Sequence, residues 1–217
     1  MDVELAKRAA AEKALTYVQS GMVLGLGTGS TVEAGLENLA RLIAEGLRIT
    51  CVSSSARTTQ RAQQLGITLA ELDSVQIIDL SIDGADQVDP YYAMIKGRGG
   101  ALLREKILAS HARRRIFVVD RSKQVPVLGH IDLPVEVVSY GWSHTAARIA
   151  KCLGSEVRVR RDGDAIVATD NSNYLIDCPI GGLRDPEALD HALRSIPGVV
   201  GTGIFVDMID ILIVGDG

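Results

Sequence analysis

Residues 22–26 form an apolar strand that runs directly into the glycine cluster Gly25-Leu26-Gly27-Thr28-Gly29-Ser30-Thr31, and Val32, Leu36, Leu39, Ala40 and Ile43 then recur at helical spacing. A strand, a glycine turn and an amphipathic helix in immediate succession make half of a βαβ unit. Such a unit fits a parallel sheet covered by helices and little else. The pattern continues with strand segments at 48–52, 67–71, 75–82 and 116–119, and helical segments at 56–65 and 101–112. Upstream, Ala6, Ala10, Ala14, Tyr17 and Val18 predict an opening helix stopped by Gly21. Ser30-x-x-Glu33 has the form of a capping box for the helix after the glycine turn.

From Pro126 the order of elements changes. A strand at 135–138, a helix at 142–153, strands at 157–160, 165–168 and 174–177, a helix at 186–195 and a strand at 199–205 approximate β-α-β-β-α-β, the ferredoxin-like pattern. The apolar run 209–214 is expected to return to the first sheet as a strand. The fold class read from these segments is α/β: a Rossmann-like, mostly parallel sheet domain at 1–125 plus 206–217, and a smaller ferredoxin-like α+β domain at 126–205.

Composition narrows the function. The 217 residues carry 23 Lys and Arg against 27 Asp and Glu, a net charge of −4 that offers nucleic acid or an anionic membrane no general attraction. No apolar stretch is long enough to span a bilayer, and the amino terminus lacks the apolar core of a signal peptide. Cys51, Cys152 and Cys178 are widely spaced and odd in number, the pattern of reduced thiols in a cytoplasmic protein. His111, His130, His144 and His191 are scattered one per element, so no metal is expected.

Chemistry concentrates between residues 81 and 106. Ser81-Ile82-Asp83-Gly84-Ala85-Asp86 is expected just past a buried strand, where open α/β sheets place their ligands. Lys96-Gly97-Arg98-Gly99-Gly100 follows, then Arg104-Glu105-Lys106. Singly, each residue has an ordinary reading: a turn aspartate, a surface lysine, a dipole-favoured helix acid. Jointly, three carboxylates, an ammonium and a flexible glycine loop suit proton transfer on an anionic sugar. The cluster at 25–31 is open to two readings, a tight βα turn or a phosphate cradle of N–H groups with Thr28, Ser30 and Thr31 hydroxyls as extra donors. It does not make a dinucleotide fingerprint, because Ser30 stands in place of the third glycine and the second strand ends in Ser53-Ser54-Ser55 rather than an acid.

These residues together resemble the ribose-5-phosphate isomerase A family. Residues 25–31 are similar to its G-x-G-T-G-S-T loop, 83–86 to its D-G-A-D, 96–106 to its K-G-x-G-G-A-x-x-x-E-K, Ser122-Lys123-Gln124 to its S-K-Q and residues 133–137 to its L-P-V-E-V. Two departures stand out: Gln87 occupies a position that is commonly Glu, and many members continue past the equivalent of Gly217. The resemblance implies interconversion of D-ribose 5-phosphate and D-ribulose 5-phosphate without a cofactor. In it, Glu105 is the base, and Lys96 with the backbone of Gly97, Arg98 and Gly99 stabilises the enediolate. Asp83, catalytic with Glu105 and Lys96, and Asp86 bind sugar hydroxyls and help relocate their protons or open the ring, with Gly84 and Ala85 beside them, and Thr28, Gly29, Ser30, Thr31 and Lys123 bind substrate. Homodimers or homotetramers are expected. The alternative is a non-catalytic sugar-phosphate-binding regulatory module of the same fold, which would need ligand contacts but no base.

Overall fold

Gly25 allows a helix to lie directly on the first strand: a Cβ added there would fall 2.6 Å from Cδ2 of Leu108. The computed structural model describes residues 3–215. The chain divides into two compact units, the first built from Met1–Ala85, Arg104–Gln124 and Met208–Gly217, the second from Asp86–Leu103 and Val125–Asp207.

In the first unit, β1 (Val23–Leu26), β2 (Thr50–Ser53), β3 (Leu80–Gly84), β6 (Arg115–Asp120) and β14 (Ile211–Gly215) form one sheet in the order β14-β6-β3-β1-β2. Every pairing is parallel. The helices are α1 (Val3–Leu15), α2 (Ser30–Ala44), α3 (Ala56–Gln64) and, from Arg104 on, α4 (Leu102–Ser110). Alternate residues of β1 divide the core between two faces. Leu24 and Leu26 join Ala10, Ala14, Leu36, Leu39, Leu80, Ile82, Ile116 and Val118, while Val23 packs on the other face with Val52, Ile78 and Leu108. From β1 the chain steps one way to β2 and then returns past β1 to β3, so the order reverses between β1 and β3. In open parallel sheets this reversal opens a crevice at the carboxyl ends of the two strands.

Several boundaries differ from the sequence reading. The capping box does not form: Gly29, at φ 107°, is the N-cap of α2 and Ser30 already lies in the helix. The left-handed backbone at Gly29 starts the helix one residue before a serine cap would. Segment 67–71 is reduced to one bridge, Cys51 to Leu69. Segment 75–79 reaches the sheet only at its end, through a bridge from Ile78 to Ala112 and the Asp79 N–H on the Val23 carbonyl at 2.9 Å; the Asp79 carboxylate accepts the Val23 N–H at 2.9 Å and the ladder with β1 begins at Leu80. Asp83 therefore lies inside β3, with Asp86 beyond its end. The side chain of Ala6 lies outside the described residues. The returning strand is present as β14, paired with β6.

The second unit holds β7 (Leu133–Val137), α5 (Trp142–Leu153), β8 (Arg158–Val159), β11 (Tyr174–Cys178), α6 (Pro186–Arg194) and β12 (Val199–Thr202). Its four-stranded sheet has the order β12-β7-β11-β8, antiparallel throughout, which is the 4-1-3-2 arrangement of a ferredoxin-like β-α-β-β-α-β motif. A short ribbon of β9 (Arg161–Asp162) and β10 (Ala165–Ile166) stands apart. Segment 86–103, read from sequence with the first domain, packs in this unit. There β4 (Gln87–Val88) and β5 (Met94–Ile95) form a hairpin that pairs with β13 (Ile204–Phe205). Leu133, Val135, Val137, Ile149, Ile176, Cys178, Leu193 and Ile204 fill the core. Between them in sequence, Glu136 is fully buried, and its Oε1 accepts from Thr169 Oγ1 and Asn173 Nδ2, both at 2.9 Å, and from Asn171 Nδ2 at 3.3 Å.

Candidate active site

In the first unit the expected residues gather at the carboxyl edge of the parallel sheet. Asp83 is 3% exposed, and its Oδ1 accepts the N–H of Thr28 at 3.2 Å and of Gly84 at 2.7 Å. The carboxylate on β3 thus ties down the turn after β1. Gly27 makes that approach possible, since any Cβ there would overlap the Asp83 carboxyl group.

Thr28 is held by a chain of buried hydroxyls whose proton order follows from its last link. Thr58 Oγ1 donates to the Gly27 carbonyl at 3.0 Å, because a carbonyl only accepts. Ser55 Oγ then donates to Thr58 Oγ1 at 3.1 Å, and Thr28 Oγ1 donates to Ser55 Oγ at 2.8 Å. The Thr28 proton is committed inward, so its oxygen meets Ser54, at 3.0 Å, and any ligand as an acceptor. Sequence reading treated this hydroxyl as a donor to an anion; the structure leaves that capacity to Ser30 and Thr31. Their hydroxyls make no hydrogen bond among the described residues, Ser30 being exposed and Thr31 half-buried. They stand in the first turn of α2, where the first backbone bond is Glu33 N–H to Gly29 and the preceding N–H groups stay available to an anion. Ser55 and Thr58 went unrecognised in the sequence because their role depends on α3 packing beside β1.

Lys123 is half-buried in the 3₁₀ turn that follows β6, a turn capped by Asp120, whose Oδ1 accepts the Ser122 N–H at 3.0 Å. Glu105 is 4% exposed in the first turn of α4. Beyond the carboxyl end of that helix, His111 and Ala112 meet Ile78 at the amino edge of the sheet, and Leu108 lies over Gly25. Glu105 is therefore one helical turn closer to the carboxyl edge than Leu108.

The second unit holds Asp86, Lys96, Gly97, Arg98 and Gly99. Lys96, 3% exposed, follows β5, and its N–H donates to the Gly203 carbonyl at 2.8 Å while Gly203 N–H donates to Pro134 at 2.7 Å. A Cβ on Gly203 would overlap the Lys96 carbonyl. The Lys96 ammonium lies 5.7 Å from the centroid of the Phe205 ring, a cation–π arrangement that steadies a buried charge. Gly97 and Gly100 take positive φ angles of 107° and 84°. Asp86 Oδ2 accepts the Arg98 N–H at 3.0 Å, so one of its oxygens is engaged with the loop. Gln87 offers its side-chain carbonyl to the Gly129 N–H at 2.9 Å, a bond that a Glu would make equally well. Gly203 and Phe205 carried no local sequence signal; only the pairing of β13 with β5 brings them to Lys96.

Burial pushes the Cys51 thiol up to about 12, and burial with the charges of Asp177 and Asp132 does the same to Cys178, which removes both from nucleophilic chemistry. Among the described residues there is no cluster of three His, Cys, Asp or Glu suited to a metal ion, and no helix long and apolar enough to cross a membrane.

Comparison with known proteins identifies the family. The family model for ribose 5-phosphate isomerase A (phosphoriboisomerase A) matches residues 50–217. Ribose-5-phosphate isomerase A of Cereibacter sphaeroides is 44% identical over 222 residues, spanning 99% of this chain and 89% of the relative, and that of Gloeobacter violaceus is 44% identical across 100% and 94%. A solved D-ribose-5-phosphate isomerase in complex with phospho-erythronic acid superposes with a TM-score of 0.94 at 37% identity, covering 99% of this chain and 96% of that one. The structure of ribose 5-phosphate isomerase A from Methanocaldococcus jannaschii gives a TM-score of 0.92 at 34% identity, covering 98% and 95%. With identity at this level over nearly the whole length, the chain belongs to the ribose 5-phosphate isomerase A family.

Proposed function

We propose that the chain interconverts D-ribose 5-phosphate and D-ribulose 5-phosphate by proton transfer through an enediolate, in the non-oxidative pentose phosphate pathway. The observation that carries this reading is the 44% identity to ribose-5-phosphate isomerase A along 99% of the chain. The burial of two charged side chains, Glu105 and Lys96, supports it, since charged groups are rarely so buried without a specific task.

In the open-chain aldose, the Glu105 carboxylate takes the C2 proton. The electron pair of that bond forms C1=C2, and negative charge settles on O1. Glu105 then returns the proton to C1, the C1=C2 pair forming the new C1–H bond, while the O2 proton passes to O1 and leaves C2=O; the ketose results, and one carboxylate serves as base and then acid. The Lys96 ammonium and the loop N–H groups stabilise the enediolate oxygen. Asp83 and Asp86 engage sugar hydroxyls, with Gly84 and Ala85 between them. Ser30, Thr31 and Lys123 hold anionic oxygen, and Thr28 accepts from a hydroxyl. The reduced cysteine pattern supports a cytoplasmic location, and the family resemblance supports a homodimer or homotetramer.

The direct test is ketose formation from ribose 5-phosphate by the purified protein; absence of turnover would sink the reading. Phospho-erythronic acid carries a carboxylate beside a hydroxylated carbon and so presents the planar anionic shape of an enediolate. It is expected to inhibit competitively against ribose 5-phosphate.

A further inference from the structure

Arg160 lies just after β8, its N–H donating to the Leu175 carbonyl of β11 at 2.8 Å. Its guanidinium forms a fork with Asp177, Nε to Oδ2 at 2.9 Å and Nη2 to Oδ1 at 2.5 Å. The remaining nitrogen, Nη1, donates to two consecutive carbonyls, those of Gly97 and Arg98, each at 3.0 Å. Both side chains are largely shielded, with exposures of 18% and 21%. The contact joins a rigid sheet to the glycine loop after Lys96 within one unit.

Two peptide planes are fixed as a result. In a trans peptide the carbonyl and the following N–H point in opposite directions. With the Gly97 carbonyl on Arg160, the Arg98 N–H turns the other way and meets Asp86 Oδ2 at 3.0 Å. That plane is strung between a guanidinium and a carboxylate. With the Arg98 carbonyl also on Arg160, the Gly99 N–H must turn away from the guanidinium, and it makes no hydrogen bond among the described residues. Gly99 is exposed, so this donor is held ready with its direction set in advance.

We propose that Arg160, braced by Asp177, is a positioning residue for the isomerisation, one that orients the loop donors after Lys96, the Gly99 N–H above all, toward the developing enediolate. The proposal rests on the isomerase reading. Preorganised donors are worth most when they do not have to rotate during the reaction, and a misplacement of about 1 Å costs on the order of 100-fold in rate. Lysine cannot substitute, because one ammonium cannot form the fork with Asp177 and reach two carbonyls as well.

The test begins with wild-type turnover on ribose 5-phosphate; its absence would refute the isomerase reading, separately from the loop measurement below. Arg160→Ala, Arg160→Lys and Asp177→Asn are each expected to lower kcat by roughly 10- to 100-fold, with KM nearly unchanged. Arg160 and Asp177 line an open cleft of about 440 Å³ together with Arg98, Ile131 and Asp132, so free guanidinium has access and should restore part of the kcat of Arg160→Ala. Independently of turnover, amide hydrogen exchange at residues 97–100 should accelerate in all three variants. Unchanged exchange in that segment, or wild-type kcat in Arg160→Ala, would overturn the proposal. So would a parallel fall of kcat and thermal stability with no guanidinium rescue, since that outcome marks a purely structural pair.

Discussion

Glu105, the proposed base, and Gly27, which matters by being small, both belong to the first unit. Glu105→Gln keeps the volume and most hydrogen bonding of a side chain that is 4% exposed, but it removes the proposed base. A kcat loss of about 10²- to 10⁴-fold is expected, with KM less affected and the melting curve close to wild type. Near wild-type turnover would take the base role away from Glu105. Gly27→Ala sets a methyl group into the Asp83 carboxyl and must displace either β3 or the turn. Overpacking of this kind costs about 1–3 kcal/mol. Because Asp83 Oδ1 also holds the Thr28 N–H, the same change should raise KM for ribose 5-phosphate, which steady-state kinetics beside a thermal melt would detect.

At the scale of elements, legibility followed length and locality. Helix α5 was readable from several turns of amphipathic pattern, β1 from an apolar run leading straight into a glycine turn, and β14 because an apolar run that long has no stable place in solvent. The hairpin of β4 and β5 was not, since two-residue strands give no periodicity to read and their partner β13 lies more than a hundred residues on. The carboxylates and Lys96 were visible as a cluster in sequence, whereas Phe205 reaches Lys96 through sheet register and Ser55 and Thr58 reach Thr28 and Gly27 through helix packing. Arg160 and Asp177 are 17 positions apart and become neighbours only because β8 pairs with β11. The capping box failed for a related reason: the backbone of the turn, set by Gly29, outranked a favourable side-chain cap.

Glu136 is an element-scale determinant of the second unit. Its single oxygen Oε1 gathers three donors from the turn between β10 and β11, and Oε2 accepts no hydrogen bond among the described residues. Glu136→Ala takes the acceptor from the buried Thr169 hydroxyl and the half-buried Asn173 amide and is expected to cost about 1–3 kcal/mol. Glu136→Gln can keep its carbonyl at the Oε1 position and should cost less. Chemical denaturation of the two variants would rank them, and equal stability would show that the network does not discriminate.

Across the whole molecule, acid sensitivity should be focused where distant segments are tied by charge. Arg115 at the start of β6 donates to Asp210 three times, from its backbone N–H at 2.7 Å and from Nε and Nη2 at 2.9 Å each. The guanidinium hydrogen bonds come first among the causes that hold the Asp210 carboxyl below its ordinary value of 3.8, against an opposing push from burial. A depressed folded-state value means the contribution is complete above 3.8 and disappears as pH falls through the lower folded value. Asp210→Asn should therefore be less stable than wild type at neutral pH, and the two melting curves should converge as the pH is taken below that point. A constant gap down the acid limb would place the stabilisation elsewhere.

The position of β14 also governs how the protein can be born. It is the last strand in chain order, yet it covers β6, whose sequence Arg-Ile-Phe-Val-Val-Asp is apolar enough to pair with a stranger. Strands β1, β2, β3 and β6 all precede β14 in the chain, so four strands of this sheet can pair before it arrives. Throughout that interval β6 is an open edge, with unpaired backbone groups facing outward on the side that β14 will occupy. The folding chain is thus most vulnerable to association before β14 docks, and a substitution that weakens the pairing of β14 with β6 exposes an adhesive strand on an otherwise finished sheet.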